Sequence, residues 1–111
     1  MNPNKNRGKA FEREVGKILH GKRYPSDTGG IVDVLTEHNI HVQCKKWKQL
    51  SMKELEYFVC EIADYVKHQK LSGTGVVAHK RPLGKGRHSE VLVTLKAEDF
   101  YKILCGGFVM L

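Results

Sequence analysis

The stretch IVDVLTEHNIHVQCKK, Ile31 to Lys46, constrains this chain most. Its apolar and polar residues alternate with a period of two on either side of a polar turn, which predicts two short strands. In the first strand, Ile31, Asp33 and Leu35 share one face, and Val32 and Val34 share the other. In the second, Ile40, Val42 and Cys44 form an apolar face, while His41, Gln43 and Lys45 point the opposite way. Asp33 places a carboxylate inside an otherwise apolar strand, which is costly unless something pairs with it. If Asp33 turns toward the face of Gln43 and Lys45, an acid, an amide oxygen and an amine meet at one point. That donor set suits metal-dependent phosphodiester chemistry.

The rest of the chain is read around this pair. A helix is expected from Gly8 to His20, with Phe11, Val15, Ile18 and Leu19 on one buried stripe. Glu12 and Glu14 flank that stripe at about 100° and 60° from Phe11, so either can reach a site at the core's edge. Gly21 to Gly30 reads as a connection, and Asp27-Thr28-Gly29-Gly30 as a turn. Ser51 and Glu54 form a capping box, which starts a helix at Met52. Met52, Leu55, Val59, Ile62, Ala63 and Val66 define its buried face, and it should end near Gln69 or Lys70. Gly75 to His79 and Glu90 to Leu95 read as two more strands. Between them KRPLGKGRH is a basic loop, with Lys80, Arg81, Lys85 and Arg87 placed to contact phosphates. A short helix over Ala97 to Leu104 follows. The apolar tail from Gly106 to Leu111 is expected to pack on the core, add a strand or join a subunit interface.

With 111 residues, the chain has the length of one domain, 1–111, and of no more. Nineteen basic residues against twelve acidic give a net charge of +7, the balance of a nucleic-acid or anionic-membrane partner. No apolar run approaches the roughly 20 residues of a membrane span, so no membrane role is expected. The N-terminus is too polar for a signal peptide. Cys44, Cys60 and Cys105 are odd in number and lack CxxC spacing, which suits reduced thiols in a cytoplasm. The six histidines show no metal-binding cluster. His41 shares a face with Gln43 and Lys45 and is read as a substrate contact or a structural group. Trp47 and Tyr57 are read as base-stacking or core residues.

Asp33 followed by Gln43-Cys44-Lys45 resembles the PD-(D/E)xK nuclease signature, in a variant with Gln for the usual acid. Gly29-Gly30-Ile31-Val32-Asp33 and Val42-Gln43-Cys44-Lys45-Lys46-Trp47 resemble Mrr-type restriction endonucleases. Arg7-Gly8-Lys9-Ala10-Phe11-Glu12-Arg13-Glu14 resembles the opening of archaeal-type Holliday junction resolvases. These blocks cover about the first half of the chain. The resemblance implies a restriction-endonuclease-like α/β fold, a mixed central sheet flanked by helices. It implies a homodimeric endonuclease that resolves four-way DNA junctions with Mg²⁺ or Mn²⁺. It selects Glu12 over Glu14, and makes Glu12, Asp33, Gln43 and Lys45 the catalytic set. Asp33, Gln43, the backbone carbonyl of Cys44 and Glu12 would be the metal ligands, with Asp27 a secondary candidate. Ser26 would lie near the scissile phosphate. Arg7, Lys9, Lys46 and Lys48 join the loop cations as candidate DNA contacts. Small size without accessory domains suits a phage recombination protein.

Gln43 is the departure from the common motif. A neutral amide removes a negative charge, so metal affinity should fall and a two-metal arrangement is disfavoured. Gln43→Glu is expected to keep the fold and tighten Mg²⁺ binding. An Mrr-like duplex endonuclease, a DNA-binding module with a decayed site and a basic interaction protein are the alternatives.

Overall fold

The computed structural model describes residues 3–24 and 30–109. Helix α1 spans Pro3–Ile18, followed by strands β1 (Gly21–Arg23), β2 (Val34–Thr36) and β3 (Ile40–Lys46). Helix α2 spans Met52–His68 and leads to β4 (Thr74–Lys80). A small hairpin, β5 (Pro82–Gly84) and β6 (Arg87–His88), precedes β7 (Leu92–Thr94) and α3 (Ala97–Val109).

The main sheet runs β1-β2-β3-β4-β7. All its pairs are antiparallel except β3 with β4, which run parallel in register from Ile40↔Thr74 to Lys46↔Lys80. A parallel pair needs a crossover, and α2 supplies it. The sheet is buried on both faces. On one, Phe11 and Val15 of α1 pack with Val34, Val42, Val76 and Ala78. On the other, Leu55, Val59, Ile62 and Val66 of α2 pack with Val32 and Val77. The alternation of β4, with Val76 and Ala78 on one side and Val77 on the other, gives each helix its own apolar floor. Gly75 lets α2 approach β4 closely, because a Cβ there would stand 2.8 Å from the carbonyl oxygen of Ile62.

The architecture is thus mixed α/β, a five-stranded mixed sheet flanked by helices. Ile40, Val42 and Cys44 face α1 as their alternation requires. The capping box of α2 is formed on both sides, Ser51 to Glu54 and back. Several expectations change. Gly21–Arg23, expected within a loop, is an edge strand paired with β2. The first strand of the motif pair is shorter than its pattern: Val32 belongs to the α2-side cluster and Val34 to the α1 side, so the two-residue alternation breaks at Asp33. Met52 is 79% exposed, since Leu50 before the cap packs into the cluster with Leu55 instead, in the manner of a hydrophobic staple. Ile18 is exposed where α1 ends, and Leu19 packs in its place. From Gly106 to Val109 the tail continues α3 and adds no strand. No helix among the described residues is long and apolar enough to cross a membrane.

Candidate active site

Asp33 sits where three strands meet. Its N–H donates to Val42 O and its carbonyl accepts from Tyr24 N–H, each at 2.8 Å. Its side-chain Oδ2 accepts from the Cys44 N–H at 2.8 Å. The carboxylate therefore ties the entry of β2 to β3 at the point where strand alternation fails, and this anchoring turns it toward a cleft. Burial raises its pKa from 3.8 to about 6. The Cys44 N–H opposes that rise, the negative charge of Glu12 adds to it, and Lys45 and Arg23 lower it again.

The cleft, of about 780 Å³, is lined by Glu12, Asp33, Cys44, Lys45, Lys46 and Trp47, with Pro82, Gly84, Gly86 and Arg87 of the small hairpin along its border. The two acids of α1 are sorted by helical phase, being about 200° apart. Glu12 turns to the cleft and lies 3.7 Å from Arg23 Nε. Glu14 turns away, and both its oxygens accept from Lys80 Nζ, at 2.8 and 2.9 Å. Lys45 leaves the opposite face of β3 from Cys44. Its Nζ stands 4.2 Å from the ring centre of Phe58 and 5.5 Å from that of Trp47. These rings meet edge to face at 5.1 Å, and their π faces favour the charged ammonium.

Gln43 does not line the cleft. It is buried beneath α2, where Nε2 donates to Glu61 Oε1 at 3.0 Å. Its Oε1 is buried without a hydrogen-bond partner among the described residues. His41 is likewise buried, with Nε2 2.9 Å from the carbonyl of Ser72, which makes it a structural group. Cys44 meets Asp33 through its N–H. Burial, and then the charges of Asp33 and Glu12, push its thiol far upward, so it is a neutral thiol. Cys44, Cys60 and Cys105 are all free.

The basic candidates divide. Arg87 and Lys46 border the cleft. Lys85 and Gly86, both at positive φ, make the turn of the β5–β6 hairpin, and Lys85 is exposed there beside exposed Arg81. Lys48 is exposed and Lys9 half-buried on α1. Lys80 belongs to β4 and is spent on Glu14, with a side chain only 9% exposed, so it is no part of the hairpin's free charge. Ser26, Asp27 and the side chain of Arg7 lie outside the described residues.

The donor set fits a hard divalent cation through oxygen. Two carboxylates, Asp33 and Glu12, line the cleft, and the charge of one raises the pKa of the other. No three His, Cys, Asp or Glu side chains cluster at metal-holding distance among the described residues. Three residues escape a reading of the sequence: Arg23, Phe58 and Glu61. Arg23 lies in an unrecognised strand. Phe58 and Glu61, three apart at the edge of the apolar stripe of α2, carry a weak signal: an acid beside core positions Val59 and Ile62.

Comparisons with protein-family models, curated proteins and solved structures find no match for this chain.

Proposed function

We propose that this chain is a metal-dependent endodeoxyribonuclease of restriction-endonuclease-like fold that cuts four-way DNA junctions. The observation that carries the reading is the meeting of Glu12, Asp33 and Lys45 in one cleft under a basic hairpin. The order helix, three strands, helix, strand, with Asp33 at the entry of β2 and Lys45 near the end of β3, supports the fold assignment. The net charge of +7 supports a polyanionic substrate.

In this mechanism Asp33 and Glu12 hold Mg²⁺ or Mn²⁺, which when bound supplies Lewis acidity toward the phosphate and its attacking water. Asp33, fixed by three hydrogen bonds, keeps its oxygen in place. Lys45, held against the rings of Phe58 and Trp47, neutralises the phosphate. Arg87 and Lys46 grip neighbouring phosphates, and Lys85 at the hairpin tip extends that grip. Two symmetric cuts call for two copies of the site, so a C₂ homodimer belongs to the proposal.

A second reading, a junction-binding module without catalysis, draws on Gln43 being held beneath α2 and away from the cleft. Incubation with Mg²⁺ and either a labelled four-way junction or a linear duplex of matching sequence separates the readings. Paired symmetric cuts confined to the junction support the proposal. Equal cutting of both substrates moves the assignment to an Mrr-like duplex endonuclease, and junction binding without cutting supports the module.

A further inference from the structure

Trp47 is the only tryptophan of the chain, and it stands at the surface. It follows the last residue of β3, in the connection to α2, and it lines the cleft together with Lys45 and Lys46. Trp47 is 38% exposed, whereas Phe58, which it meets edge to face at 5.1 Å, packs into the α2-side core. The indole is therefore braced by a half-buried ring and still open to solvent beside the cleft. Cations surround it. The Lys45 Nζ lies 5.5 Å from the indole centre, Lys46 borders the cleft, and Lys48 is exposed. An aromatic surface set among cations binds a nucleotide by both its parts, the base through stacking and the phosphate through charge. In paired duplex each base face is covered by its neighbours, so only a nucleotide out of the stack can use such a ring.

We propose that Trp47 is a stacking platform for an unpaired DNA base, so that the substrate of this cleft carries a nucleotide out of the helical stack beside the bond to be cut. The proposal rests on the nucleic-acid reading of the cleft and narrows it from DNA in general to DNA with a splayed or single-stranded nucleotide. The phosphate of a stacked nucleotide lies one sugar away from its base, and Lys45 is close enough to the indole to meet it. Trp47 thus positions the strand whose phosphate Lys45 neutralises. Tyr57 is 63% exposed and meets Phe58 at 5.5 Å, but it does not line the cleft and is no part of the platform.

The test uses the full chain in EDTA, so that binding is read apart from the cation and from cleavage. The probes are a single-stranded oligonucleotide, a strand of the same length made of abasic sites, and a duplex. The abasic strand keeps the phosphates and removes the bases. Because Trp47 is the sole tryptophan, its emission reports stacking directly. The single strand should quench that emission, and the abasic strand and the duplex should quench it far less at equal occupancy. By fluorescence anisotropy, Trp47→Ala should weaken single-strand binding about 10- to 100-fold with the log-log salt slope unchanged, while Trp47→Phe and Tyr57→Ala retain most of it. Equal quenching by the abasic strand, or a Trp47→Ala loss as large for the abasic strand as for the normal one, overturns the proposal. A protein that binds none of the three probes overturns both the platform and the nucleic-acid reading. Quenching by the single strand in a protein that cuts no DNA in Mg²⁺ supports the platform and refutes the nuclease reading. Junction cutting without quenching overturns the platform and leaves the nuclease reading standing.

Discussion

Replacing Asp33 by Asn should make the metal-free protein more stable while destroying its proposed activity. Burial, with Glu12 adding to it, raises the Asp33 carboxyl from 3.8 to about 6. The folded state thus holds this proton more tightly than the unfolded state. Stability contributed by the protonated acid is fully present below pH 3.8 and is lost as the pH rises through about 6. At 1.36 kcal/mol per pKa unit, the rise from 3.8 to about 6 would cost about 3 kcal/mol, which solvent at the partly open carboxylate reduces to about 1–2 kcal/mol. The substituted amide keeps an oxygen for the Cys44 N–H and carries no charge at any pH. Urea denaturation in EDTA should therefore show the Asp33→Asn variant about 1–2 kcal/mol more stable than wild type at pH 7.5, with the gap closing by pH 4. Adding Mg²⁺ should stabilise wild type and leave the variant unmoved. A variant less stable than wild type at pH 7.5, or a gap independent of pH, would refute the reasoning.

Other consequences follow from the same contacts. Lys80→Met strips Glu14 of its partner. Because Glu14 is 40% exposed and can be rehydrated, the loss should be about 1 kcal/mol in urea, with the salt dependence of DNA binding unchanged. Arg87→Ala should weaken binding to junction and duplex alike and lower the log-log salt slope by about 1, as measured by fluorescence anisotropy across a salt series. Gly75→Ala forces a methyl against the Ile62 carbonyl and should cost about 1–3 kcal/mol by thermal or urea unfolding, without altering Mn²⁺ affinity in the folded fraction. Cleavage, if Asp33 must be ionised to hold the cation, should fall away as the pH drops through about 6.

Much of the scaffold was legible because local pattern and tertiary context agree. β3 alternates cleanly, so Val42 and Gln43 part to opposite faces as read, and the Ser51–Glu54 box sets the start of α2. Where residues were misread, long-range contacts overruled local signals. Gly21-Lys22-Arg23 has no β-branched residue to announce a strand, and only pairing with Val34–Thr36 makes it one. The helix expected over Ala97 to Leu104 runs on through Gly106 and Gly107 to Val109, although glycine is a poor helix former. At the candidate site, Asp33 and Lys45 were visible by motif and spacing. Helical spacing left both Glu12 and Glu14 open and only the resemblance chose Glu12; in the structure Glu12 lines the cleft and Glu14 binds Lys80, while the partnership of Gln43 with Glu61 spans 18 residues that no periodicity links.

The most direct test of the central claim, a cation-dependent phosphodiesterase site built by Asp33 and Lys45, is incision of a labelled four-way junction in Mg²⁺ and in EDTA. Wild type, Asp33→Asn and Lys45→Met are run side by side, each first shown to be folded. The account predicts paired cuts by wild type in Mg²⁺ alone, and none by either variant although both still bind the junction. Cutting that persists in EDTA, or that survives in either variant, would contradict it.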